Sequence, residues 1–147
     1  MDTVKFSCNL NISTPEKPLD FKILLDDTPI YEIVTEQQSY EFSYDIPEDN
    51  ESHVIKFIMD GKTDRHTVID ENNNIVESAQ VEINNVSLED IDLTDLFLGK
   101  TDLAVYTHNG NGYSDETTET FDFCMGCNGT AEFAFSTPIY LWLLENM

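Results

Sequence analysis

The chain has 147 residues, 40% of them hydrophobic, with nine Phe, six Tyr and one Trp; that suits a single core and excludes simple disorder. Seven Lys and Arg stand against 29 Asp and Glu, a formal charge of −22. Such a field repels phosphate backbones and argues against nucleic acid as a partner, the more so because the basic residues (Lys5, Lys17, Lys22, Lys56, Lys62, Arg65, Lys100) are scattered.

From the N-terminus, Val4, Phe6, Cys8, Leu10 and Ile12 alternate with Lys5, Ser7, Asn9 and Asn11, the rhythm of a half-buried strand. The opening ten residues lack the apolar run of a signal peptide, so synthesis in a cytosol is expected. Runs at 21–25 and 30–34, broken by Asp26-Asp27-Thr28-Pro29, predict a hairpin. Tyr40, Phe42, Tyr44 and Ile46 alternate next; a turn at 47–50 and a β-branched run at 53–59, ending at Asp60-Gly61, follow. Val68-Ile69 and Ile75-Val76 flank a polar turn, a further hairpin. Val81 and Ile83 oppose Gln80, Glu82 and Asn84, and a short helical turn fits 93–98. A strand is expected over 101–107, then a loop, His108-Asn109-Gly110-Asn111-Gly112. The last strands are placed at 117–123, 130–135 and 139–144, interrupted by 124–129 and by Pro138. About ten short strands with no helix-period segment describe a single all-β domain over 1–147, an antiparallel β-sandwich of jelly-roll-like type. No tandem repeat suggests a propeller or solenoid.

Four features bear on chemistry. Cys124-Met125-Gly126-Cys127 has zinc-knuckle or redox spacing, but no second such pair exists in the chain, although Cys8, His66 or His108 could approach in space. The plainer reading is a tight turn in which Gly126 and Gly129 matter more than the sulfurs. Asp70, Asn72 and Asn74 carry oxygens at alternate positions like the first half of a calcium-binding EF-hand loop; Ile75 and Val81 then stand where that loop needs Gly and Glu. A hairpin turn explains the run, with Asp70, Asn72, Asn74, Asp60 and Asp64 kept as the candidate Ca²⁺ ligands and no other cofactor expected. Tyr113, in the glycine-rich loop with Asn109 and Asn111, is the aromatic expected outside, where it suits a sugar ring. The run at 138–144 is apolar on both faces and far too short to span a bilayer. It reads as a central strand or as a tail that docks into a neighbour, with Ile139, Tyr140, Trp142 and Leu144 as interface candidates. No G-x-S-x-G, phosphate loop or H-E-x-x-H occurs, and a non-enzymatic role is expected.

The run His53-Val54-Ile55-Lys56-Phe57, Gly61-Lys62-Thr63, His66-Thr67, the 70–74 turn and the ending Thr137-Pro138-Ile139-Tyr140-Leu141-Trp142-Leu143-Leu144-Glu145-Asn146-Met147 resemble small acidic proteins of tailed phages of marine bacteria. Those proteins in turn are distantly similar to calcium-dependent xylan-binding modules, which are jelly-roll sandwiches. The resemblance implies a virion component made in the host cytoplasm: a capsid decoration, head-fibre or tail-associated protein. Its partners would be other virion proteins or further copies of itself. The alternative it implies is a Ca²⁺-dependent carbohydrate-binding module with a glycan ligand.

Overall fold

The computed structural model describes residues 3–13, 18–61, 67–69, 71–72, 75–78, 80–89, 91–93, 104–108, 117–121, 123–126 and 128–146. In chain order the strands are β1 (Thr3–Ile12), β2 (Asp20–Leu25), β3 (Thr28–Val34), β4 (Ser39–Pro47), β5 (Ser52–Asp60), β6 (Thr67–Ile69), β7 (Ile75–Ser78), β8 (Val81–Leu88), β9 (Ile91–Asp92), β10 (Ala104–His108), β11 (Thr117–Thr120), β12 (Cys124–Met125) and β13 (Gly129–Ser136). A helix, α1 (Ile139–Asn146), follows β13.

One sheet runs β12-β8-β1-β4, with β9 on β8, and the other β11-β10-β13-β5-β2-β3; β6 and β7 form a separate hairpin. Every pairing among the described residues is antiparallel. The architecture is the expected all-β sandwich, and among the described residues neither sheet closes into a barrel. Successive segments change layers: β1 lies in the first sheet, β2 and β3 in the second, β4 in the first and β5 in the second.

Alternation builds the core. Val4, Phe6, Cys8, Leu10 and Ile12 turn inward from β1, and Ile55, Phe57 and Met59 do so from β5. Phe57 is the hub, its ring 6.3–6.4 Å from those of Phe6, Phe21, Phe121 and Phe133. Burying such a ring contributes roughly 1.5–3 kcal/mol. At the shared edge of the two layers Tyr31 of β3 stacks on Phe42 of β4, centroids 4.6 Å apart.

Strand β8 shows how the alternation is kept. Val81 and Ile83 face inward, and so do Val86 and Leu88, one residue out of phase. Asn9 pairs with Asn84 and Ser7 with Ser87, so β8 carries an extra residue. Asn85, at φ 54°, takes the left-handed bulge position that Asn tolerates better than most residues.

Two sequence expectations change. Residues 139–144, expected as a strand, form a helix. A contiguous apolar run satisfies either period, and Pro138 decides it here: its carbonyl accepts the N–H groups of Leu141 and Trp142 at 3.2 and 3.3 Å, opening a helical turn in which Leu is a good helix former. Residues 124–125, expected within a break, form β12 opposite Glu82 and Val81.

Candidate functional site

The site is built around one end of the sandwich. Asp26 and Asp27, at φ 50° and 68°, make the two-residue turn between β2 and β3, a tight hairpin geometry that needs left-handed backbone at both positions. This turn aims two carboxylates at β5. Asp26 accepts the Val54 N–H at 2.8 Å with one oxygen and meets His53 Nδ1 at 2.6 Å with the other. Asp27 accepts from Lys56 Nζ at 2.6 Å.

From the β4–β5 connection Asp49 comes within 2.9 Å of His53 Nε2. A carboxylate at each ring nitrogen favours a donor at each, the pattern of the imidazolium form. Burial of this 6%-exposed side chain pulls its pKa down. The hydrogen bonds and charges of Asp26 and Asp49 outweigh that and hold it above the usual 6.5. The same contact with His53 holds the Asp49 carboxyl below the usual 3.8, against a smaller opposing effect of burial and with help from the Glu51 N–H and the Thr137 hydroxyl.

The network continues into the root of α1. The Thr137 hydroxyl donates to Asp49 at 3.2 Å and its N–H to the Glu51 carbonyl at 3.0 Å. The Glu51 N–H lies 3.2 Å from both Asp49 Oδ1 and Thr137 Oγ1, and the Ile139 N–H donates to Glu48 Oε1 at 3.3 Å. Apolar contacts run in parallel: His53 lies against Phe135 with ring centroids 5.7 Å apart, and Phe135 meets Trp142 edge-on at 6.3 Å.

On this root the helix is split lengthwise. Ile139, Trp142 and Leu143 are buried, while Tyr140, Leu141 and Leu144 are 59%, 58% and 72% exposed. The spacing i, i+1, i+4 puts the three side chains on one helix face. The predicted interface set therefore divides: Ile139 and Trp142 are anchors, Tyr140 and Leu144 point to solvent, and Leu141, missed by the strand reading, completes the face. A strand would have put Leu141 on the side opposite Tyr140 and Trp142; a helix puts it beside Tyr140 and Leu144.

The calcium set is not assembled among the described residues. Asp60 caps the end of β5 by accepting the Gly61 N–H at 2.8 Å and pairs in register with Asp20. Asn72 belongs to the separate β6–β7 hairpin, where Ile69 pairs with Ile75, the arrangement of the hairpin turn read from the sequence. Asp64, Asp70 and Asn74 lie outside the described residues, as do Asn109, Asn111 and Tyr113. No group of three or more His, Cys, Asp or Glu placed to hold a metal ion occurs among the described residues. An open groove runs across the outer face near Ile58, Asp60, Thr107, His108, Asn128 and Thr130.

Cys8 and Cys124 belong to opposite faces of one sheet. Cys8 is in the core, where burial pushes its thiol up to about 12. Cys124 pairs with outward-facing Glu82, and its thiol donates to Gln80 Oε1 at 3.2 Å. Cys127 and His66 lie outside the described residues. No described helix is long and apolar enough to cross a membrane. Comparison with protein-family models, with curated proteins and with solved structures gives no match.

Proposed function

We propose that this chain is a non-enzymatic structural protein that works by protein–protein assembly, docking the Tyr140–Leu141–Leu144 face of α1 onto a partner. The observation that carries the reading is that face: three large apolar side chains held in water on a helix whose other side is anchored in the fold. Each is worth roughly 1.5–3 kcal/mol once covered. The partner's chemistry follows from charge. No Lys or Arg lies between Lys100 and the C-terminus, the chain carries −22, and Glu145 stands beside the apolar face. A second copy would bring the same negative field, whereas an apolar groove rimmed by Lys or Arg matches both the face and its surroundings. The resemblance of the sequence to small acidic phage proteins supports the virion as the assembly concerned, with the chain as a capsid decoration, head-fibre or tail-associated component.

The test is incorporation into particles. Purified virions from an infection that supplies the wild-type chain are expected to contain it by mass spectrometry, and those supplied with a Tyr140→Ser, Leu141→Ser, Leu144→Ser variant are expected to lack it. The substituted side chains are exposed, so the circular dichroism spectrum of the variant should match wild type. Absence of the wild-type chain from particles, or undiminished incorporation of a folded variant, refutes the reading.

A further inference from the structure

We propose that His53 is a proton-operated latch on the root of α1: while the imidazolium is charged it clamps the β2–β3 turn and the β4–β5 connection together beneath the helix, and loss of its proton loosens the helix and the apolar face it presents.

The geometry requires two donors. Nδ1 faces Asp26 at 2.6 Å and Nε2 faces Asp49 at 2.9 Å, and neutral imidazole has one N–H. When the proton leaves to solvent, one nitrogen lone pair of the buried ring is turned on a partly exposed carboxylate. That contact changes from a charge-assisted hydrogen bond into a repulsion. Asp26 is held at both ends, its Oδ1 accepting the Val54 N–H at 2.8 Å and its own N–H donating to the Val54 carbonyl at 2.9 Å, so Asp49 is the carboxylate that gives way. Movement of Asp49 disturbs the bonds from the Thr137 hydroxyl and the Glu51 N–H, and those two residues hold the start of the helix. The displacement has a second route through Phe135 to Trp142.

The surroundings of the ring decide the sign. Among the described residues, the titratable groups facing it are Asp26 from the β2–β3 turn and Asp49 from the β4–β5 connection. Asp27 is engaged by Lys56, and Glu48 is turned toward the Ile139 N–H; from β13 the ring meets Phe135. With His53 held above its usual range and Asp49 below its own, the clamp is complete between the two. It weakens as pH rises through the elevated histidine value, and also as pH falls through the depressed aspartate value.

The proposal rests on the assembly reading only for its use, and its test is made on the isolated full-length chain. Trp142 is the single tryptophan, so its emission, together with amide hydrogen exchange of α1, reports the root directly. Between about pH 5.5 and 8.5, exchange of the helix amides is expected to rise several-fold beyond the intrinsic base-catalysed increase, with a coincident change in Trp142 emission. His53→Gln is expected to abolish the pH dependence and leave the helix at its high-pH exchange level. Asp49→Asn, which keeps an acceptor but removes the charge, is expected to move the midpoint downward. A helix whose corrected exchange is flat with pH, or a transition abolished by His108→Gln and kept in His53→Gln, overturns the latch. Particle incorporation that succeeds at every pH while the latch operates would leave assembly standing without this control.

Discussion

Thr35 is fully buried, and it follows β3 at the point where the β2–β3 hairpin opens. Its hydroxyl accepts the Leu19 N–H at 2.8 Å, and its own N–H donates to the Leu19 carbonyl at 2.9 Å. The side chain thus supplies one more rung where the ladder ends. Replacing it with Val keeps the shape and removes the acceptor, leaving the Leu19 N–H buried without a partner. We expect a loss of about 1–3 kcal/mol in urea unfolding. Thr35→Ser should retain most of the stability, and equal losses for Val and Ser would show that packing, not the hydrogen bond, fixes the position. Tyr40 makes an instructive contrast. Its hydroxyl accepts the N–H groups of Glu36 and Gln37 at 2.9 and 3.0 Å, but both residues are exposed, so water can replace the phenol at lower cost.

Among the elements, β13 shows why a glycine stands where two strands must close on a third. A Cβ on Gly129 would lie 2.4 Å from the Thr107 carbonyl oxygen and 3.0 Å from atoms of Tyr106 and His108. The nearest of these is backbone of β10, which cannot retreat without breaking its ladder to β13. Gly129→Ala should therefore cost about 1–3 kcal/mol. Gly126→Ala, with nothing within 4 Å of the added carbon, should stay within about 0.5 kcal/mol, the two being compared by denaturation midpoint at unchanged slope. Gly129 is therefore needed for close packing inside β13 and not for the tight turn expected over 124–129, and open space surrounds the position a Cβ would take on Gly126. Legibility differed between elements. β1, β2 and β5 could be read because each has one covered side, and two-residue alternation records that directly. The bulge at Asn85 hid the phase of β8, and the helix was hidden by an apolar run that fits either period. The His53 network was illegible for a different reason. Asp26 lies 27 residues from His53, and among 29 acidic residues nothing local marks the one that the fold brings to the ring.

At the level of the whole molecule, attraction and repulsion among charges can be weighed against each other. The ion pairs between described side chains are His53 with Asp26 and Asp49, Lys56 with Asp27, and His108 with Glu119; the Lys56 and His108 pairs have partly exposed members, the kind worth about 0–1 kcal/mol. Against them stands an excess of 22 negative charges, 29 − 7, on a surface of 8300 Å² for one small domain. Salt screens both sets, and the Debye length falls from about 30 Å at 0.01 M to about 3 Å at 1 M. Long-range repulsion reaches across the molecule and is weakened most, while the His53 contacts are short and centred on a buried ring and are weakened least. Adding NaCl at neutral pH should therefore raise the melting temperature, most steeply below about 0.2 M, where the screening length drops beneath the size of the domain. The His53→Gln variant should show a salt response of similar size, because the response belongs to the overall field. A melting temperature that falls with salt would mean that the pairs outweigh the excess. It would also remove the charge argument against docking a second copy on the exposed face of α1, since that argument rests on the same unscreened field.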